Sequence, residues 1–246
     1  MSDITDLFDT YGLRARLLPA LVVVLPVAVV VALVFPAVYA TASSIGGSLG
    51  VASAFLFLLS HVLRARGRAL EVKLYAAWGG IPTTCWLRHR DNRLDEHTKA
   101  RYHSFLRERI PSLTVPSAME EASDPERADA AYASAVKWLL EFTRNADEFP
   151  LVFKENVTYG FRRNLLAAKP LALKVLSVLI VVVGLVAWKR YHADWMATDA
   201  EFLLAFVVLA GTIALWTTLI RTEWVRDAAE GYARALLATC DSSKKS

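Results

Sequence analysis

The chain is poor in cysteine and histidine, and its long apolar stretches are almost without charge. Only two cysteines occur in 246 residues, Cys85 and Cys240. They build neither a disulfide framework nor a metal-ligand spacing. The five histidines, His61, His89, His97, His103 and His192, include no His-Glu-x-x-His pair, and no nucleophile elbow accompanies them. The pair Gly79-Gly80 lacks the Gly-Lys-Ser/Thr ending of a Walker loop. These absences argue against an enzyme and against any cofactor or metal centre.

What the chain has in excess is apolar surface. Hydrophobic residues make up 55%, above the roughly 45–50% of a soluble domain, and the mean hydropathy is +0.35. The excess falls in four runs of 18–24 residues, at 17–40, 45–63, 171–188 and 202–220. A helix needs about 17–25 residues to cross a bilayer core ~30 Å thick. The composition therefore predicts an all-α integral membrane protein with four transmembrane helices. The small residues Ala40-Thr41-Ala42 resemble a cleavage site, but the preceding run far exceeds the ~7–15 residues of a signal peptide.

Lys and Arg set the orientation. Arg14, Arg16, Arg64, Arg66, Arg68, Arg162, Arg163, Lys169, Arg221 and Arg226 flank one side of the runs, and only Lys189 and Arg190 flank the other. The expected location is the bacterial inner (plasma) membrane, multi-pass, with both termini cytosolic. The expected parts are an N-terminal amphipathic helix (1–16), a transmembrane hairpin (17–63), a cytosolic helical domain inserted between helices 2 and 3 (64–170), a second hairpin (171–220), and a C-terminal cytosolic helix and tail (221–246).

The central segment is electrically polarised. Residues 64–109 hold 11 Lys and Arg against 5 Asp and Glu, whereas residues 110–150 hold 3 against 8. Helices are expected at 69–78, as an extension of span 2, at 91–110, and from Pro125 to about Asn145 with Asp124 as cap. Residues 110–123 read as a loop. Trp224, Ala228, Tyr232 and Leu236 recur every four residues, so span 4 is expected to continue as an amphipathic helix.

Two groups of residues are candidates for function. Lys99, His103 and Arg107 share a helical stripe, with Arg88, Arg90, Trp78 and Tyr102 nearby. Cations beside aromatics suit a nucleotide or short single-stranded oligonucleotide, with phosphates on the basic groups and a base on Tyr102. The glycine turn at Trp78–Thr84 offers either backbone amides to a phosphate or a plain helix ending with Thr83 or Thr84 as the next cap. Anionic lipid attraction, a solvated face, or pairing with the acidic stretch 120–129 would use the same cations. Within the spans, Gly46 and Gly50, and Ala210 and Ala214, have small-xxx-small spacing that invites helix neighbours. Thr212 and Thr217 would line a polar path or bond their own backbone. Pro26 is expected to kink the first span.

The order of spans, together with the strings Trp78–Thr84, Arg88–Asp91, Thr98–His103 and Tyr159–Asn164, resembles bacterial four-span proteins of unassigned function. It is also similar to the membrane effectors encoded beside nucleotidyltransferases in anti-phage systems, particularly the Hailong type. That resemblance implies an oligomeric channel whose cytosolic domain binds a nucleotide-based signal, oligodeoxyadenylate in the Hailong case. The expected function is an oligomeric ligand-gated membrane pore or membrane-disrupting effector, with the lipid bilayer, further copies and a nucleotide as partners. The alternative is a non-conducting membrane scaffold or lipid-interacting protein.

Overall fold

A computed structural model describes residues 12–45, 49–193 and 200–242. The expected helix at 1–16 falls mostly outside them; its end, Gly12–Leu17, is a π-helical turn. The α-helices that follow are α1 (Leu18–Val34), α2 (Pro36–Ile45), α3 (Leu49–Ala77), α4 (Pro82–Cys85), α5 (Glu96–Arg109), α6 (Ala118–Ser123), α7 (Pro125–Phe142), α8 (Pro150–Ala193), α9 (Ala200–Thr218) and α10 (Thr222–Ser242). No strand occurs among the described residues. The all-helical expectation holds.

Among the described residues, three helical stretches are long and apolar enough to cross a membrane: Gly12–Val34, Pro150–His192 and Ala200–Thr218. They are compatible with a multi-pass membrane protein. The second expected run behaves differently. Its described helical part in α3 has only 15 apolar-side residues, 49–63, before Arg64, Arg66 and Arg68. At 1.5 Å per residue that covers ~22 Å, short of the ~30 Å core.

Several local expectations are revised. The first run is not one helix, because Phe35 leaves helical geometry ahead of Pro36, whose ring disfavours the α region for the residue before it. The helix does continue through Pro26. Residues 110–123 are not all loop: α6 carries a capping box in which Ser117 Oγ accepts from the Glu120 amide and Glu120 accepts from the Ser117 amide. Span 4 does not run on unbroken, since the helix stops after Thr218 and restarts at Thr222. Neither Thr83 nor Thr84 caps a helix. Ile81 holds that position without a side-chain bond, and both threonines are buried.

The chain divides into two compact units, residues 1–70 with 160–225 and residues 71–159 with 226–246. The division falls inside α3, α8 and α10. In the first unit, Ala20, Val23, Leu165, Ala168, Ala172, Leu176, Ala205, Leu209 and Trp216 form the core. Its alanines leave room for close backbone approach. Gly67 is needed for the same reason, since a Cβ there would lie 2.2 Å from Asn164 Oδ1. Asn164 is itself buried and its Nδ2 donates to the Ala15 carbonyl at 2.8 Å. At the break before α10, Lys169 Nζ donates to the Ile220 carbonyl at 2.7 Å, and Arg162 donates to the Trp224 carbonyl at 2.9 Å while lying over that indole. Lys169 thus satisfies a carbonyl just past the end of α9, whereas Arg162 reaches one in the first turn of α10.

The second unit packs Trp86, Leu87, Tyr102, Phe105, Leu106, Tyr132, Val136 and Leu139 against Leu236, Leu237 and Cys240 of α10. The C-terminal helix, expected to stand as a separate segment, is part of this core. Helix α7 follows its sequence signature, with the Asp124 side chain accepting from the Arg127 amide and Pro125 in the first turn.

Candidate functional site

The glycine turn closes α3. Gly80 N–H donates to the Tyr75 carbonyl at 2.8 Å and Gly79 N–H to the Ala76 carbonyl at 3.4 Å, with Gly79 at φ +80°. This pairing is a Schellman C-cap. Both amides are therefore committed to helix carbonyls. The free element of the turn is the Gly79 carbonyl, which accepts from Arg88 Nη1 at 2.9 Å and from Cys85 Sγ at 3.5 Å. A Cβ on Gly80 would press on Cys85 Sγ at 2.8 Å and Arg88 Nη2 at 3.0 Å. The glycines cradle a guanidinium.

Arg88 then reaches 41 residues along the chain to Asp129, with Nε to Oδ1 and Nη2 to Oδ2 both at 2.8 Å. This is the planar two-bond fork that arginine makes with a carboxylate. Arg90 bridges Glu121 at 3.0 Å and Asp129 at 3.1 Å. Glu121, buried at its side chain, also accepts from the His89 amide at 2.7 Å and the Tyr132 hydroxyl at 2.8 Å. Burial pushes its carboxyl up, but these donors and the Arg90 charge hold it below the ordinary glutamate value. Burial and the Glu121 contact in turn push the Tyr132 phenol well up. The acidic stretch is thus the partner of Arg88 and Arg90.

The stripe on α5 points inward for two of its three members. Lys99 and His103 are buried, as is Tyr102, while Arg107 is exposed. Lys99 Nζ donates to the carbonyls of Asp91 and His89. His103 Nε2 donates to the Leu87 carbonyl at 2.8 Å and its ring stacks on Tyr132 with centroids 5.6 Å apart. Burial lowers its pKa to about 4, so it is neutral at pH 7. Lys99 and His103 therefore hold the 87–91 segment in place and do not present an open basic face. Trp78 is half-buried, its ring 6.0 Å from Tyr75.

One polar cluster escaped the sequence reading. Tyr159 Oη lies 2.7 Å from Glu71 Oε1 and 3.0 Å from Tyr75 Oη, and Tyr75 donates to the same carboxylate at 3.0 Å. Glu71 and Tyr75 at i, i+4 was the available signal.

In the first unit, Gly50, Ala210 and Ala214 are exposed, Thr212 is half-buried, and Gly46 lies outside the described residues. Thr217 Oγ1 donates to the Ile213 and Ala214 carbonyls at 2.9 and 3.0 Å, and Thr218 to Ala214 at 2.7 Å. These hydroxyls bond their own helix. Among the described residues no cluster of His, Cys, Asp and Glu is arranged to hold a metal ion. No family model, curated protein or solved structure matches the chain.

Proposed function

We propose that the chain is a four-span membrane protein of the bacterial inner membrane that assembles with its own copies into a pore or membrane-disrupting effector. Both termini and the second unit lie in the cytosol, and the Arg88/Arg90–Asp129/Glu121 lock is the controlled element. The apolar run at 45–63, of which α3 holds 49–63, serves as the fourth span. The single observation that carries the reading is the exposed face of Ala210, Gly211 and Ala214 on α9. In the same chain α9 buries Phe202, Ala205, Leu209 and Trp216 instead. A small-residue face left uncovered suits close contact with a second copy.

Control by an anionic nucleotide fits the lock through competition. A phosphate recruited by Arg88 and Arg90 has to displace Asp129 and Glu121, so ligand binding and unlocking are one event. The expected ligand is a short oligodeoxynucleotide of the kind the effector resemblance implies. The experiment combines dye release from liposomes with the mass of the reconstituted assembly. Ala210→Leu/Ala214→Leu is expected to lower both the assembly mass and release, and Asp129→Ala to strengthen oligonucleotide binding. A monomeric wild type that releases no dye, with or without oligodeoxyadenylate, overturns the reading. Cysteine labelling from the cytosolic side at position 120, in a background without native cysteines, tests the orientation.

The second reading, a non-conducting scaffold, is favoured by Thr217 and Thr218. Their hydroxyls are turned onto backbone carbonyls and supply no polar path within one chain.

A further inference from the structure

A groove of about 340 Å³ in the first unit is lined by Val27, Lys174, Val175, Val178, Leu179 and Val182. Lys174, Val178 and Val182 recur every four residues and so lie along one face of α8. Their span of eight residues runs ~12 Å along the helix axis. The lining is almost wholly apolar, and Lys174, the one charged residue at it, contributes its aliphatic stem and carries its ammonium beyond the strip. Lys174 sits inside the apolar run at 171–188 and makes no hydrogen bond or ion pair among the described residues. Its neighbour Lys169 is committed to the Ile220 carbonyl. Lys174 is exposed and is the fourth residue of the run, where a lysine reaches its ammonium out to head-group level. Here it stands on the side of the run that also carries Arg162, Arg163 and Lys169.

We propose that this groove binds an anionic phospholipid, with one acyl chain along the valine strip and the phosphate on the Lys174 ammonium. The charge complementarity is specific: a single cation beyond the end of an open aliphatic strip matches an amphiphile with one anionic head. Basic pockets between spanning helices on the positive side take lipid head groups in this way. The proposal concerns the first unit alone and does not depend on a pore.

The test uses the full chain, solubilised and delipidated, titrated with phosphatidylglycerol, with phosphatidylcholine of the same acyl chains, and with glycerol phosphate. Native mass spectrometry reads the retained lipid. The wild type is expected to keep phosphatidylglycerol over phosphatidylcholine, and Lys174→Gln to cut that preference about fivefold. Val178→Trp, which fills the strip, is expected to reduce retention of both lipids. Glycerol phosphate is expected not to compete. Equal retention of the two lipids by the wild type overturns the proposal, as does a Lys174→Gln variant indistinguishable from it. Competition by glycerol phosphate overturns the acyl-chain part. If Val178→Trp changes the number of subunits and leaves lipid retention intact, the groove seats a second copy and the lipid site falls.

Discussion

Both units bury large apolar side chains, but they differ in what they leave outside and in the polar groups they take in. In the first, alanines and a glycine stand in the core beside Leu63, Leu176, Leu209 and Trp216, and many large apolar side chains remain outside as well: Leu25, Val51, Phe55, Leu58, Val178, Leu185, Leu203 and Val207 are all exposed. In the second, the large side chains are inside, with a carboxylate, a lysine and a histidine among them, and few large apolar groups face outward, among them Val72 and Met119. The difference matches the three apolar stretches of the first unit, which are compatible with a membrane. Lipid offers no reward for hiding leucine, so association there rests on close packing of small residues. Water rewards burial of apolar area, and the polar groups carried inside with it must then find partners. Glu121, Lys99 and His103 have found theirs.

Breaking the buried polar partners should give the largest effect. Glu121→Ala leaves the Tyr132 hydroxyl and the His89 and Arg90 amides without their shared acceptor, while Arg90 keeps Asp129; at about 1–3 kcal/mol for each group left unsatisfied, a loss of about 3–5 kcal/mol is expected. Hydrogen exchange should show it as lost protection in α5 and α7 with α9 unchanged. Equal loss in both units would dissolve the contrast drawn above.

Acid should act next and on the same unit. The unfolded His103 titrates near 6.5 and the folded one at about 4, so the unfolded chain binds the extra proton first. The stabilisation is whole above pH 6.5 and declines as pH falls towards 4, by roughly 1.4 kcal/mol per pH unit. Burial is the cause. Chemical unfolding at pH 7 and 5 should show the slope, and His103→Gln should flatten it. The carboxylates whose values are held down, Asp91 and Glu121, add their losses only at lower pH.

The first unit should be broken by bulk instead. Gly67→Ala drives a methyl group into Asn164 and should cost about 1–3 kcal/mol, seen as lower thermal stability in detergent. Adding Asn164→Ala should recover part of that loss, although the bond to Ala15 is then gone. Failure of the double variant to recover would mean that the Gly67 contact is not the limiting one. The smallest effect is expected at the surface of the second unit. Arg226→Ala removes an i, i+4 pair with Glu230 at 3.0 Å, and ~0.3 kcal/mol is the scale for such a pair. A change above about 1 kcal/mol would assign the pair a role beyond helix support.

Sequence alone determined the features that depend on near neighbours. The apolar runs, the Asp124-Pro125 start of α7, the four-residue recurrence in α10 and the end of α3 at the glycine pair are local, because helix caps and periodic faces involve residues within one or two turns. The capping box at Ser117 and Glu120 was equally legible, but its helix is only six residues long and sits between proline signals. The opposed charges of 64–109 and 110–150 announced a pairing without naming its members. Tertiary structure decided which they are: Arg88 and Arg90 meet Asp129 and Glu121 across 31 to 41 residues, a closure that no local pattern encodes. It also decided that Lys99 and His103 face the interior. A stripe at i and i+4 states that two side chains share a face of a helix, and only packing against other elements states which face is turned inward.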